Sequence, residues 1–248
     1  MLKIEKITGA IGAEISGIAL SWDLTSDVCD EIYDALINHQ VIFFRDQDLS
    51  PEAHLQLAKS FGEPEPPHPV YPHVEDFENI VLLKSGGGDV PDTNDWHKDM
   101  TFKANPPFTS ILHAVNVPAV GGDTLWSSTS AAYDNLPDAW KTHLEGLEAM
   151  HDIGTFRNDF YKKGGIEAVN NALKDTGSAV HKIIDTHPVS GLKYLNVNQS
   201  FTRNIVGMIQ GESDRILHYL YQHMAKPEFQ VRFRWRNKIG RASCRERV

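Results

Sequence analysis

Apolar residues in this chain come in short clusters bounded by glycine, proline or charge, and this spacing limits the fold to one assembled from many brief strands. Val41–Phe44 is the densest cluster, four strand-forming residues in a row. A run of that length reads as a buried strand and is too short for an ordinary helix. Comparable segments recur at Lys3–Ile7, Ala13–Ser16, Ile80–Lys84, His97–Phe102, Thr109–Val115, Thr124–Ser127, Ala179–Thr186, Tyr194–Val197 and Phe229–Trp235. Long excursions separate them. Such a series predicts an antiparallel β-sandwich or barrel decorated by helices.

The helices announce themselves by their ends. Thr25 is placed to cap a helix reaching His39, because Val28, Ile32, Ala35 and Leu36 recur at helical spacing. Ser50-Pro51 opens a second helix and Gly62 ends it. Further helices are predicted over Ser130–Leu144, restarting at Pro137, and over Ser213–Met224. Proline crowds Glu63–Pro72 and imposes an extended loop. A Gly- and Asp-rich loop spans Ser85–Asp95, and polar Phe156–Lys174 reads as a mobile insertion. Neither an internal repeat nor a linker argues for two domains.

Composition narrows the function. The chain has 248 residues, 41% hydrophobic and 23% charged, with a net charge of −9. A protein of that sign, with no basic stripe in its body, is repelled by nucleic acid and by anionic membrane surfaces. A small-molecule substrate is expected. Two cysteines, Cys29 and Cys244, make no disulfide framework, and the first residues lack the apolar run of a signal peptide or membrane span. The expected location is the cytoplasm.

The sharpest chemical feature is Trp96-His97-Lys98-Asp99. On a strand, His97 and Asp99 would share a face, since side chains alternate with period two. An imidazole beside a carboxylate supplies two of the three ligands of the 2-His-1-carboxylate facial triad of non-haem Fe(II) oxygenases. Taken alone the pair is weak. In a chain with 12 histidines the spacing arises by chance, and the plain reading is a polar pair at a strand edge.

The surrounding blocks add what the pair lacks. WHKDMTF at 96–102, Pro106-Pro107, GGDTLW at 121–126 followed by AAYDNL, HPVYPH at 68–73, THPVSG at 186–191, FTRNIV at 201–206 and KPEFQVRFRWR at 226–236 resemble, in this order, the taurine dioxygenase (TauD/TfdA-like) family. The resemblance implies a mostly β fold with helices, a double-stranded β-helix (jelly-roll) core incomplete at the C-terminus. It also implies Fe(II), with 2-oxoglutarate as cosubstrate and O₂. The expected reaction is oxidative decarboxylation of 2-oxoglutarate to succinate and CO₂, coupled to hydroxylation of a small organosulfonate such as taurine, which then releases sulfite. No catalytic residue is expected beyond the metal site.

By the same resemblance, His97 and Asp99 are iron ligands, and Thr124 binds 2-oxoglutarate. His68 and Tyr71 match the sulfonate pocket, and Phe201 an aromatic wall. The presence of Asp99 argues for hydroxylation, since related halogenases place a halide where this carboxylate would be. Read without the family, Thr124 is a β-branched strand residue after a Gly-Gly turn, His68 a solvated loop residue and Trp126 a core residue. Thr93 and Met100 depart from the family's asparagine and valine, which puts recognition of the taurine amine in doubt, while a one-residue register shift onto Asn94 would restore the amide. Alternative substrates are an alkylsulfate or an aryloxyacetate. A non-catalytic binding protein on the same scaffold is the alternative from another class, and hydrolytic zinc chemistry lacks a third ligand and a base. Homo-oligomers are expected by analogy alone.

Residues 1–236 are read as the dioxygenase domain and 237–248 as a non-native tail. In the family, the segment after the position of Arg236 carries the second ligand histidine and the arginines for 2-oxoglutarate and sulfonate. Here NKIGRASCRERV stands instead, and its KIGRASCRERV part resembles the translation of a common sequencing adapter. On this reading Arg241, Arg245 and Arg247 form no binding surface. Lost strands would leave sheet edges unpaired. The expectation is that the 248-residue polypeptide aggregates readily and does not turn over 2-oxoglutarate. Succinate formation by the purified chain would contradict it.

Overall fold

The computed structural model describes residues 2–21, 23–68, 71–84 and 95–236, with the backbone alone of 239–244. The chain begins with β1 (Lys3–Lys6), β2 (Ala13–Ser16), α1 (Ser26–His39), β3 (Val41–Phe44) and α2 (Pro51–Phe61). Next come β4 (His73–Val74), β5 (Phe77–Val81), β6 (Thr109–Ala114) and β7 (Thr124–Ser127), then α3 (Thr129–Asp134), α4 (Asp138–Leu144) and β8 (Glu148–His151). The remainder comprises α5 (Phe156–Thr176), β9 (Ala179–Lys182), β10 (Ile184–Thr186), β11 (Lys193–Leu195), β12 (Thr202–Ile205) and α6 (Gln210–Met224). A 3₁₀ turn at Pro227–Phe229 leads into β13 (Gln230–Phe233) and β14 (Ile239–Cys244). Among the described residues, helices hold more of the chain than strands do.

Two compact units result. One comprises Met1–Asp89, Phe108–Ser127 and Gln230–Glu246; the other comprises Val90–Pro107, Ser128–Phe229 and Arg247–Val248.

In the first unit, five strands run in the order β1-β2-β3-β14-β6. Pairing is antiparallel except between β2 and β3. The four residues of β3 are fully buried because both faces of the strand are covered. Ile42 and Phe44 join Ile32 and Leu36 of α1 and Leu57 of α2. Phe43, on the opposite face, stacks on Phe233 at 3.9 Å and meets Trp126 edge-on at 5.5 Å. Ser50 caps α2, accepting a hydrogen bond from the Ala53 N–H at 3.2 Å. Thr25 precedes α1 without a side-chain cap.

The expected strand Ile80–Lys84 sits earlier, at Phe77–Val81. Asp76, at φ +64°, turns the chain immediately after β4, so pairing begins at Phe77. The tail also differs from expectation. The backbone of 239–244 pairs with β3 on one side and β6 on the other, so this part of the sheet has no open edge there. Strand addition is a backbone interaction, and any proline-free segment can answer the unpaired N–H and C=O groups of two edges.

The second unit packs α3, α4 and α6 against the sheet β12-β8-β9 and the hairpin β10-β11. Leu144, Ala149, Ile183, Leu195, Ile205 and Leu220 form its centre. The expected mobile insertion is helix α5. Its helical run is interrupted only at Gly164 and Gly165, where Gly165 takes φ +63°. The glycine pair hid two shorter helical repeats from sequence reading.

One approach in this unit is too close for any side chain. Gly154 sits at φ +53°, and a Cβ there would lie 1.8 Å from the Ser200 carbonyl oxygen. Gly154→Ala is therefore expected to destabilise the fold by at least about 3 kcal/mol in chemical denaturation. A change within ~0.5 kcal/mol would contradict the packing described.

Candidate active site

His97 and Asp99 do not lie on a strand. They occupy an irregular segment that enters a turn at Asp99–Phe102. Met100 has φ +56°, a left-handed conformation uncommon for a residue with a Cβ, and its carbonyl accepts the Lys103 N–H at 2.9 Å. This turn sends Thr101 and Phe102 into the interior, where both are buried. The pairing of His97 with Asp99 thus comes from a tight turn and not from strand alternation.

The side chains meet all the same. His97 Nδ1 lies 2.9 Å from the Asp95 carbonyl oxygen. A carbonyl can only accept, so Nδ1 carries the proton, and in the neutral ring Nε2 presents its lone pair. Nε2 stands 3.3 Å from Asp99 Oδ1, with the two side chains 34% and 26% exposed. Two electron-rich atoms facing at this distance require a cation between them, either a proton on Nε2 or a metal ion. Donors in neighbouring positions about 2.1 Å from one metal ion stand about 3.0 Å apart, so the pair fits. Among the described residues no group of three or more His, Cys, Asp or Glu is arranged to hold a metal.

Other expected residues fall into separate settings. His68 and Tyr71 stack with ring centroids 4.8 Å apart. The Tyr71 N–H donates to His68 Nδ1 at 3.2 Å, which fixes the proton of a neutral His68 on Nε2. Thr124 opens β7, and its hydroxyl oxygen accepts the Trp235 indole N–H at 2.8 Å. That leaves the hydroxyl proton to point elsewhere. Trp126 is 7% exposed and packs on Phe43 and Trp235, as a core residue does. Phe201 is buried against Phe102 and Phe156, at 5.4 and 5.5 Å between centroids. Thr93 and Asn94 lie outside the described residues. His187 is buried and accepts the Ser190 N–H in a turn, and His223 is tied to the Ala132 carbonyl.

Sequence reading missed the side chains around the turn. His151 is fully buried on β8, with Nδ1 2.9 Å from Thr101 Oγ1. Burial pushes its imidazole down from 6.5 to about 3, and His181, Lys98 and Arg203 push the same way. The available signal was the alternation Leu147, Ala149, His151 with polar Glu148 between.

The chain matches the family model "Taurine catabolism dioxygenase TauD, TfdA family" over residues 3–238. It belongs to this family. An alkylsulfatase of Acinetobacter baylyi is 36% identical over 245 residues, covering 94% of this chain and 74% of its own length. An alpha-ketoglutarate-dependent sulfate ester dioxygenase of Pseudomonas putida is 35% identical over 240 residues, covering 94% and 78%. A taurine dioxygenase crystal structure from Burkholderia xenovorans superposes with TM-score 0.84 at 30% identity, covering 99% of this chain and 80% of that one. The fold is therefore the jelly roll of these Fe(II)- and 2-oxoglutarate-dependent dioxygenases, and the general reaction is theirs. Among the described residues no helix of the chain is long and apolar enough to cross a membrane.

The protonation of His151 has a consequence for the stability of this TauD-family fold. A folded state that resists protonation until about pH 3 competes with an unfolded one that accepts the proton near 6.5. Stability is complete above that window and falls as pH drops through it, by up to ~1.4 kcal/mol per pH unit. Denaturation of wild type and His151→Asn at pH 7.5 and 5 checks this. The wild type is expected to lose more stability between the two, and equal losses would contradict the assignment.

Proposed function

We propose that this chain carries the Fe(II) and 2-oxoglutarate site of an oxygenase that hydroxylates the carbon bearing a sulfur oxyanion, with an alkyl sulfate ester as the first choice of substrate. One observation carries the reading. In a chain about a third identical to two sulfate ester enzymes, His97 is oriented by a backbone carbonyl so that Nε2 faces Asp99 at 3.3 Å.

In this reading His97 Nε2 and Asp99 Oδ1 hold the iron, and the third ligand comes from sequence that follows Arg236 in relatives. When bound, iron with 2-oxoglutarate and O₂ supplies the oxidising power for C–H hydroxylation, with succinate and CO₂ as co-products. The Thr124 hydroxyl donates its proton to a 2-oxoglutarate carboxylate while its oxygen accepts the Trp235 N–H. The His68 Nε2–H donates to a sulfate oxygen, held in place by the Tyr71 N–H on Nδ1. Charge-assisted bonds of this kind suit an anionic head group. Phe201, buried in its aromatic cluster, is taken as the aromatic wall that the family resemblance assigns to it. Hydroxylation next to a sulfate ester oxygen gives a hemiacetal-type product, which collapses to an aldehyde and sulfate.

Taurine is the second reading, favoured by the taurine dioxygenase superposition; the same step then releases sulfite. Residues 1–236 joined to the C-terminal segment of the Acinetobacter baylyi alkylsulfatase should release sulfate from hexyl sulfate, in step with succinate. His97→Ala and Asp99→Ala should each lower the rate by at least about 10³-fold. Sulfite from taurine, without sulfate from hexyl sulfate, would select the second reading. A folded chimaera that releases neither sulfate nor sulfite would overturn both.

A further inference from the structure

The residues on either side of His97–Asp99 are fastened to the loop that carries Asn198 and Gln199 and to strands β8 and β9. On the N-terminal side, the Trp96 N–H donates to Gln199 Oε1 and the Gln199 N–H donates to the Trp96 carbonyl, both at 3.1 Å. On the C-terminal side, Thr101 Oγ1 receives the Asn198 amide at 3.1 Å and lies 2.9 Å from His151 Nδ1. The Thr101 carbonyl accepts from His181 Nε2 at 2.7 Å, and the same nitrogen reaches the Lys103 carbonyl at 3.1 Å. Since carbonyls only accept, His181 carries its proton on Nε2. His151 and His181 come from adjacent strands, β8 and β9, whose alternation turns both inward.

The loop is itself braced. Asn198 Oδ1 accepts the Phe201 N–H, and the Asn198 N–H donates to Thr202 Oγ1, both at 2.9 Å. Thr202 sits opposite His151 in the register of β12 and β8. Between the two fastenings, Met100 is held in its left-handed conformation, one that a bulky side chain adopts only where the surroundings impose it.

The geometry points to Gln199, Asn198, His151 and His181 as positioning residues: a two-point clamp that holds the His97–Asp99 turn in its metal-binding shape before any metal arrives. The inference rests on the reading of His97 and Asp99 as ligands, yet the clamp itself is a property of the metal-free chain. Preorganisation of this kind spares a metal ion the work of ordering its ligands.

Hydrogen exchange of the metal-free 248-residue chain tests it. Gln199 is exposed, so Gln199→Ala should keep the fold and its melting temperature within about 1 °C, while amides of 96–98 exchange at least about tenfold faster. Gln199→Glu keeps the acceptor and should restore protection. His151→Leu should speed exchange at 100–103 by a similar factor, and His151→Asn, which can still meet Thr101, should recover most of it. Unchanged exchange at 96–98 in Gln199→Ala overturns the clamp, as does failure of Gln199→Glu to restore it. If His151→Leu loses protection everywhere, the Gln199 pair decides. A chain that shows the clamp but binds no metal at His97 refutes the proposed function and leaves the clamp standing.

Discussion

A single hydrogen bond, from His97 Nδ1–H to the Asp95 carbonyl, underlies the proposed metal site. It fixes the tautomer, and with it the nitrogen that faces Asp99. Had Nδ1 been the lone-pair atom, the carboxylate would face an N–H donor and the two would form an ordinary polar pair. The carbonyl makes the site electron-rich on both sides, an arrangement that a cation completes.

This local bond needs a rigid surround, which the second unit supplies. The β8 and β9 strands turn two histidines inward onto the residues just past Asp99, His151 onto the Thr101 hydroxyl and His181 onto the Thr101 carbonyl, and the loop before β12 grips the backbone just before His97. Burial keeps His151 uncharged at neutral pH, so it serves as a steady hydrogen-bonding partner and adds no positive charge beside Lys98 and Arg203. The Asp152 carboxylate takes up Arg157 and Arg203 together, so these two cations share an acidic partner next to β8.

Much of this was legible in the residues. β3 was readable because four apolar residues in a row leave no polar face to expose, and α2 because Ser50, Pro51 and Gly62 mark its ends by separate mechanisms. A strand was expected at His97–Asp99, where a left-handed Met100 makes a turn instead. Two residues apart, side chains can meet in either geometry, and these two do meet, at 3.3 Å. β8 and β12 went unseen because buried polar residues, His151 and Thr202, interrupt their apolar alternation. His151 is part of the clamp, and Thr202 braces its loop. Helix α5 was hidden by Gly164 and Gly165, which break the helical period at its centre.

The central claim is that His97 and Asp99 together bind a divalent metal ion. Anaerobic titration of the chain with Mn(II), followed by electron paramagnetic resonance, reads this without turnover. The account predicts one weak site per chain, with affinity falling at least about tenfold in His97→Ala and again in Asp99→Ala. Equal Mn(II) binding by wild type and both variants would contradict it.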